Sequence, residues 1–323
     1  MRNERMITIG ATINETLREE MERDASIVLI GEDIATIGGR GGVTAGLRKT
    51  FGKDRVIQTP LVEELLLGIA IGVAQSGLRP VVEFGHANFL MLAWSDVYKM
   101  GIWRRLSANK ISLPIVVRMK FGAYWKYGAE LTGPFISSLQ SVLGIKIVVP
   151  SRPADAKGLL RQALRTDRPV LFLEHAKLYG NIGPVSDDRH FSPLDEAVIR
   201  RSGTDLSIIS YGYLLAEAEK AARTLAAEGV SVEVIDLVSL KPLDQKTLIE
   251  SAQKTKKIIV FDEETQGGGL FPFIFTIIKR SVPDARVESV GSRPVPLPFG
   301  PAENFILPQS DDLMKALRTM LSG

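Results

Sequence analysis

The 323-residue chain is 45% apolar and 24% charged, with a formal net charge of +3 and no long basic run, which argues against nucleic acid or an anionic membrane as a partner. The absence of cysteine excludes a disulfide framework, a thiolate nucleophile and a Cys-ligated metal. Three histidines, His86, His175 and His190, leave few candidates for a catalytic triad or a His-rich metal site.

The length suits two domains, each with its own core. The N-terminal residues lead into an apolar patch too brief for a signal-peptide core, and no stretch approaches the roughly 18 apolar residues of a spanning helix. A cytoplasmic location is therefore expected. Residues Ile13, Leu17 and Met21 recur on one face of a first helix. Strands are expected at 26–30, 56–59, 80–84, 114–118, 145–149 and 170–174, mostly as continuous apolar runs. Such runs fit a parallel sheet buried on both faces. Helical patterns at 62–76, 88–106 and 154–164 alternate with them, which predicts an α/β fold. The glycines of Gly38-Gly39-Arg40-Gly41-Gly42 lack a following Lys-Ser or Lys-Thr, so they read as a flexible turn and not as a phosphate loop.

Residues 183–193, with Gly183-Pro184, Ser186-Asp187-Asp188 and Pro193, read as a linker. The alternation then restarts with strands at 206–210, 232–237, 258–262 and 286–290. Helices are expected at 214–228, at 244–254 behind an Asp244 cap, at 267–280 led by glycine, and at 311–321. The division predicted is a domain over 1–186, a linker over 187–200 and a smaller α/β domain over 201–323.

The segment Thr59-Pro60-Leu61-Val62-Glu63-Glu64 ends a strand and opens an almost wholly apolar helix with two carboxylates in its first turn. Two readings stand. Acidic residues favour helix N-termini for electrostatic reasons alone. Alternatively, a carboxylate in an apolar cleft at the carboxyl end of a sheet is placed to share a proton with a ligand base. Gly68, Gly72 and Ser76, four apart, form a smooth helix face for either a subunit contact or packing within the domain.

Several motifs taken in order carry a family resemblance that runs nearly end to end. They include Gly31-Glu32-Asp33, Thr59-Pro60-Leu61-Val62-Glu63, Gly77-Leu78-Arg79-Pro80-Val81-Val82-Glu83-Phe84, Asp155-Ala156-Lys157-Gly158-Leu159-Leu160, Arg168-Pro169-Val170-Leu171-Phe172-Leu173-Glu174, Val232-Glu233-Val234-Ile235-Asp236-Leu237 and Pro294-Val295-Pro296-Leu297-Pro298-Phe299. The chain resembles the β subunit of thiamine diphosphate-dependent 2-oxo acid dehydrogenases of the pyruvate, branched-chain or acetoin type. The resemblance implies a pyrimidine-binding domain followed by a transketolase C-terminal-like domain. It also implies that Glu63 exchanges a proton with the aminopyrimidine of thiamine diphosphate, that Phe89 stacks on that ring, and that Glu32 and Leu61 line the cofactor site. Backbone carbonyls of Ile115, Ala163, Thr166 and Arg168 match positions that hold a structural potassium ion. No Gly-Asp-Gly followed at the right distance by Asn-Asn is present, so magnesium and the diphosphate are expected on an α-type partner. The implied assembly is an α2β2 heterotetramer on a lipoyl-bearing acyltransferase core.

Two departures bear on the reaction. Leu131 stands where the family has a histidine in the stretch matching Gly128-Ala129-Glu130-Leu131-Thr132-Gly133-Pro134, and leucine can donate neither a proton nor a hydrogen bond. His86 lies three residues before Phe89 at a strand end, which makes it either a catalytic group or a supporting histidine. The loop 120–127 reads as a surface or interface loop, or as one that brings Lys120 or Lys126 to a phosphate or carboxylate of the substrate. The leading expectation is a decarboxylase of a 2-oxo acid, active only with its partner. The alternatives are a split transketolase-like enzyme that moves a two-carbon ketol unit from a sugar phosphate, and a noncatalytic scaffold subunit.

Overall fold

The computed structural model describes residues 4–133, 135–186 and 192–322, so His190 and much of the expected linker lie outside the described residues. The chain divides into two compact units: Met1–Phe121 with Ser141–Leu194, and Gly122–Gln140 with Asp195–Gly323.

The first unit begins with β1 (Glu4–Thr8), α1 (Ile9–Arg23), β2 (Ile27–Gly31), α2 (Leu47–Phe51) and β3 (Val56–Gln58). It continues through α3 (Glu63–Gln75), β4 (Arg79–His86), α4 (Trp94–Leu106) and β5 (Val116–Phe121). Two short helices, α5 (Ala129–Thr132) and α6 (Ile136–Leu139), fall in the second unit. The first unit resumes with β6 (Lys146–Val148), α7 (Pro153–Arg165), β7 (Val170–His175) and β8 (Ile182–Ser186).

Six of these strands run parallel in the order β6-β7-β5-β4-β2-β3. All residues of β2 and β7 are buried, and most of β4 and β5. Covering both faces removes the alternation of polar and apolar residues, and this is why the strands read as continuous apolar runs. Their carboxyl ends form the edge at which open α/β sheets bind ligands.

Helix α1 buries Ile13, Leu17 and Met21, as its periodicity predicts, and Thr8 caps it by accepting from the Ala11 N–H at 3.1 Å. Its acidic face meets α7. Lys157 Nζ donates to Glu15 at 2.6 Å and Glu19 at 2.9 Å, and Arg165 forks onto Glu20 at 2.6 and 2.8 Å.

Residues 182–186 are not linker: β8 pairs antiparallel with β1, with Pro184 opposite Met6. This two-stranded ribbon tolerates a proline because few neighbours require its missing N–H. The helix expected over 88–106 starts as a 3-10 turn, Ala87–Ala93, and becomes α-helical only at Trp94.

The second unit contains β9 (Val198–Arg201), β10 (Leu206–Ser210), α8 (Leu215–Ala226), β11 (Val232–Asp236) and β12 (Ser239–Lys241). It ends with α9 (Gln245–Thr255), β13 (Lys257–Thr265), α10 (Phe271–Ser281), β14 (Arg286–Ser292) and α11 (Ser310–Ser322). Its sheet runs β14-β13-β10-β11-β9, parallel except for β9. Ile208, Val234 and Phe261 of this sheet pack with Leu215 and Ala222 of α8 and Leu317 of α11. Asp244 caps α9 by accepting from Thr247 N at 3.1 Å. Helix α10 starts at Phe271 and not at Gly267. Gly269, at φ 56°, lies so close to Asp262 that a Cβ would sit 2.5 Å from its carboxylate. The glycines therefore form a turn around that acid.

Candidate active site

At the carboxyl edge of the first-unit sheet, Glu32 follows β2, Glu63 opens α3, His86 ends β4 and Phe89 sits in the 3-10 turn beyond it. Pro60 closes β3, and α3 then begins without a side-chain cap from Val62. Glu63 and Glu64 supply the negative charge that such an uncapped N-terminus favours.

Glu63 is half-buried, while Leu61, Val62 and Leu65 around it in the chain are 59%, 41% and 51% exposed. The Glu32 carboxyl is held above its ordinary value by burial first of all, with the charges of Asp33 and Glu63 adding and Arg40 opposing. Glu32 and Glu63 thus lie within electrostatic reach of each other. The Phe89 ring is half-buried and meets His86 edge-on, with centroids 6.2 Å apart. Thr59 Oγ1, at the end of this edge, is buried with no hydrogen-bond partner. A half-buried acid, an aromatic ring and an unsatisfied hydroxyl suit a flat heteroaromatic base such as an aminopyrimidine.

Beneath this edge lies a buried ion layer. Arg118 Nη1 donates to Glu83 at 2.7 Å, and its Nε and Nη2 fork onto Glu174 at 2.7 and 2.9 Å. Tyr179 adds its hydroxyl to Glu174 at 2.8 Å. Burial raises the Glu83 carboxyl, with Arg118 opposing and Glu174 adding to the rise.

The glycine-rich run closes over this layer and is no loose turn. Gly38, Gly39, Gly41 and Gly42 all have φ between 70° and 84°. A Cβ on Gly39 would stand 2.8 Å from Glu83 Oε1. Arg40 N donates to that same oxygen at 2.8 Å, and its side chain approaches Glu32 at 3.4 Å. Sequence reasoning missed Arg40. The signal was four glycines around a single cation, which have a purpose only if the backbone must approach something closely.

Three of the four carbonyls matched to a potassium site, those of Ala163, Thr166 and Arg168, lie at or just beyond the carboxyl end of α7, and Ile115 immediately precedes β5. Ile115 O accepts from Val170 N at 2.9 Å, and Thr166 O from Arg79 Nη1 at 3.0 Å. Ala163 lies inside α7, and Arg168 lies between α7 and β7. A carbonyl has two lone pairs, so these bonds leave room for a further cation.

Leu131 lies in α5, on the segment 122–140, which carboxylates of the second unit hold by its backbone. Ala123 N donates to Glu263 at 3.0 Å, Lys126 N to Glu303 at 2.9 Å, and Phe135 N and Ile136 N to Glu264 at 3.0 and 3.3 Å. Asp262 accepts from Tyr211 Oη at 2.8 Å. Burial pushes Asp262 up to about 6, and burial with the Asp262 charge pushes Glu264 up to about 8.

The sign of the resulting pH dependence is fixed. Below the ordinary carboxylate range both groups are protonated in folded and unfolded chains alike. As pH rises, the unfolded chain ionises first, so stability falls until the folded pair has also ionised near pH 8. The loss between pH 5 and 8.5 is expected to amount to several kcal/mol. Chemical denaturation across that range checks it, with Glu264→Gln expected to flatten the slope.

The outward face of α3 is smooth and apolar. Gly68, Gly72 and Ser76 are exposed, and a Cβ on Gly72 would meet nothing within 4 Å. Met91, Leu92 and Tyr98, on the neighbouring 3-10 turn and α4, are also exposed. At Gly68 a Cβ would come 3.7 Å from Asp96 Oδ2 of α4, so part of this face packs within the first unit, while Gly72 stays open. No helix among the described residues is long and apolar enough to cross a membrane.

Comparison with known proteins adds to this geometry. The transketolase pyrimidine-binding domain matches residues 5–181, and the transketolase C-terminal domain matches residues 195–313. The pyruvate dehydrogenase E1 component subunit beta of Chlorokybus atmophyticus is 38% identical over 316 residues, covering 96% of this chain and 94% of that protein. The 2-oxoisovalerate dehydrogenase subunit beta of Bacillus subtilis is 36% identical, covering 95% and 96%. The acetoin:2,6-dichlorophenolindophenol oxidoreductase subunit beta of Cupriavidus necator is 35% identical, covering 99% and 98%. Among solved structures, a split gene transketolase described as an inactive beta4 tetramer superposes with a TM-score of 0.79 over 98% of each chain, at 23% identity, a likeness of fold.

Proposed function

Because the chain belongs to the family of β subunits of thiamine diphosphate-dependent 2-oxo acid dehydrogenases, we propose that it binds the aminopyrimidine end of that cofactor and serves in the decarboxylation of a 2-oxo acid. The acyl unit passes to a lipoyl domain of an acyltransferase. An α-type partner in an α2β2 assembly supplies the magnesium and diphosphate site, and the chain alone is inactive. The observation that carries the reading is Glu63 at the start of α3, beside Glu32 and on the sheet edge that also bears Phe89.

Thiamine diphosphate, when bound, supplies an electron sink for the carbon left by decarboxylation. Glu63 holds the proton exchanged with the aminopyrimidine. Phe89 offers its ring to the same base, and Glu32 and Leu61 line the site. His86 serves the substrate end. A potassium ion on the carbonyls of Ile115, Ala163, Thr166 and Arg168 is a structural accessory in this reading. A cytoplasmic location belongs to it too, supported by the absence of cysteine.

The exposed Leu61, Val62 and Leu65 matter here, because a partner that covers them also withdraws Glu63 from water. Leu65→Asp is expected to weaken association with the α subunit more than tenfold and leave the isolated fold intact, since Leu65 faces outward. Sedimentation velocity of the mixed subunits checks this.

Two observations favour a second reading. Leu131 removes an imidazole at a position where the family has one, while Lys120 brings a half-buried cation to the sheet edge. Both suit ketol transfer from a phosphorylated donor. The test combines the chain with an α-type subunit, thiamine diphosphate and magnesium, then compares 2-oxo acid decarboxylation with ketol transfer. Decarboxylation supports the first reading. Turnover of a ketose phosphate alone overturns it in favour of the second.

A further inference from the structure

The carboxyl edge of the first-unit sheet carries three cationic or proton-donating side chains that proton exchange at Glu63 does not use. Their positions follow from the backbone. Strands β4 and β5 pair Glu83 with Arg118, but the next pair is His86 with Lys120. Three steps on β4 match two on β5, so β4 carries a bulge, and Gly85 within it has φ 73°. Regular pairing would have set Gly85 opposite Lys120. The extra residue brings His86 there instead. Bulges next to sites commonly re-aim one side chain in this way.

The third group arrives from the glycine-rich loop. Its backbone is pinned by the bond from Arg40 N to Glu83 Oε1, at 2.8 Å. The Arg40 Nε then lies 3.9 Å from where a Cβ of Gly85 would be, so the guanidinium rests over the bulge. Its contact with Glu32 is long, 3.4 Å, and the Arg40 side chain remains 38% exposed. Lys120 is half-buried, and its ammonium is held below the ordinary lysine value by burial first and by the Arg40 charge second. The fold therefore holds two cations close enough to repel, at a partly dry edge, next to an imidazole. Glu32 already meets Arg40, and a further anion between Arg40 and Lys120 lowers their mutual repulsion.

We infer that Arg40, Lys120 and His86 form an anion-binding subsite that receives the oxyanion, carboxylate or phosphate, of the substrate handled beside Glu63. The role as a substrate subsite rests on the proposed function, but the binding of an anion does not. Arg40 offers a planar fork suited to either oxyanion, Lys120 a point charge, and His86 a neutral or charged N–H donor. The bulge and the glycine loop are the devices that bring them together.

The test uses the full chain, alone and assembled with its α subunit, and reads the binding of inorganic phosphate and of pyruvate separately by isothermal titration calorimetry. Phosphate or pyruvate is expected to bind the wild-type chain, and Lys120→Met and Arg40→Gln are each expected to raise that Kd at least tenfold. Labelled-lysine NMR is expected to show the Lys120 titration moving upward when the anion is added. Tighter phosphate identifies a phosphorylated donor, and tighter pyruvate identifies the carboxylate of a 2-oxo acid. Affinities unchanged in both variants, or a Lys120 titration indifferent to both anions, overturn the subsite. Glu63→Gln separates the two claims: it should leave anion binding intact whatever it does to turnover.

Discussion

Glu63→Gln is expected to lower turnover of the assembled enzyme by about 10²–10⁴-fold, the usual contribution of a positioned acid or base. The substitution keeps the shape of the side chain and its capacity to hydrogen-bond, and removes only the exchangeable proton. Its structural cost is small. Glu63 is half-buried at the first position of α3, where a carboxylate contributes roughly 0.3–1 kcal/mol through the helix dipole. Glu64 stays in the same turn to meet the dipole. Melting temperature and assembly should therefore hold while kcat collapses. A variant with full turnover would remove the proton-exchange role and favour a scaffold subunit.

The second large effect is on stability. Arg118→Met should destabilise the first unit by about 3–5 kcal/mol, the usual result of removing one partner from a buried ion pair. Arg118 is 1% exposed and bonds two carboxylates, Glu83 and Glu174, that are also buried. Methionine fills much of the volume but leaves both acids without their cation. They must then take up protons, so the variant should lose least in mild acid and most above neutrality. Arg118→Met combined with Glu83→Gln and Glu174→Gln should recover part of the loss, because the charges leave together. Urea denaturation of the three chains, wild type, single and combined variants, measures this, and a loss below about 1 kcal/mol for the single variant would contradict it. The loop bearing Arg40 hangs from Glu83 Oε1, so the same substitution should also loosen the site above.

The α/β alternation was readable because the strands β2, β4, β5 and β7 are buried on both faces and spell themselves out in apolar residues. Helix α1 was readable because Ile13, Leu17 and Met21 recur at helical spacing and are buried. β1 was not, since its five residues are exposed or half-buried and its partner β8 contains Gly183-Pro184, a turn signal by composition. Only a long-range pairing makes those two segments strands.

The site was legible in part. The Thr59–Glu64 segment displays a strand end, a proline turn and an acidic helix start, all local features. Arg40 escaped because glycines flanked by no phosphate-loop residues look flexible. Their role appears only when Glu83 and Tyr179 are found against them. The grouping of 122–140 with the second unit was equally hidden. Backbone N–H groups of Ala123, Lys126, Phe135 and Ile136 find their acceptors on Glu263, Glu303 and Glu264, well over a hundred residues away in the chain. No local pattern encodes such bonds.

The most direct measurement is the rate at which the thiazolium carbon of bound thiamine diphosphate exchanges its proton with deuterium in the α-assembled protein. The account predicts fast exchange with the wild-type chain and at least a hundredfold slower exchange with Glu63→Gln, at equal cofactor occupancy. Equal rates in the two proteins would contradict it.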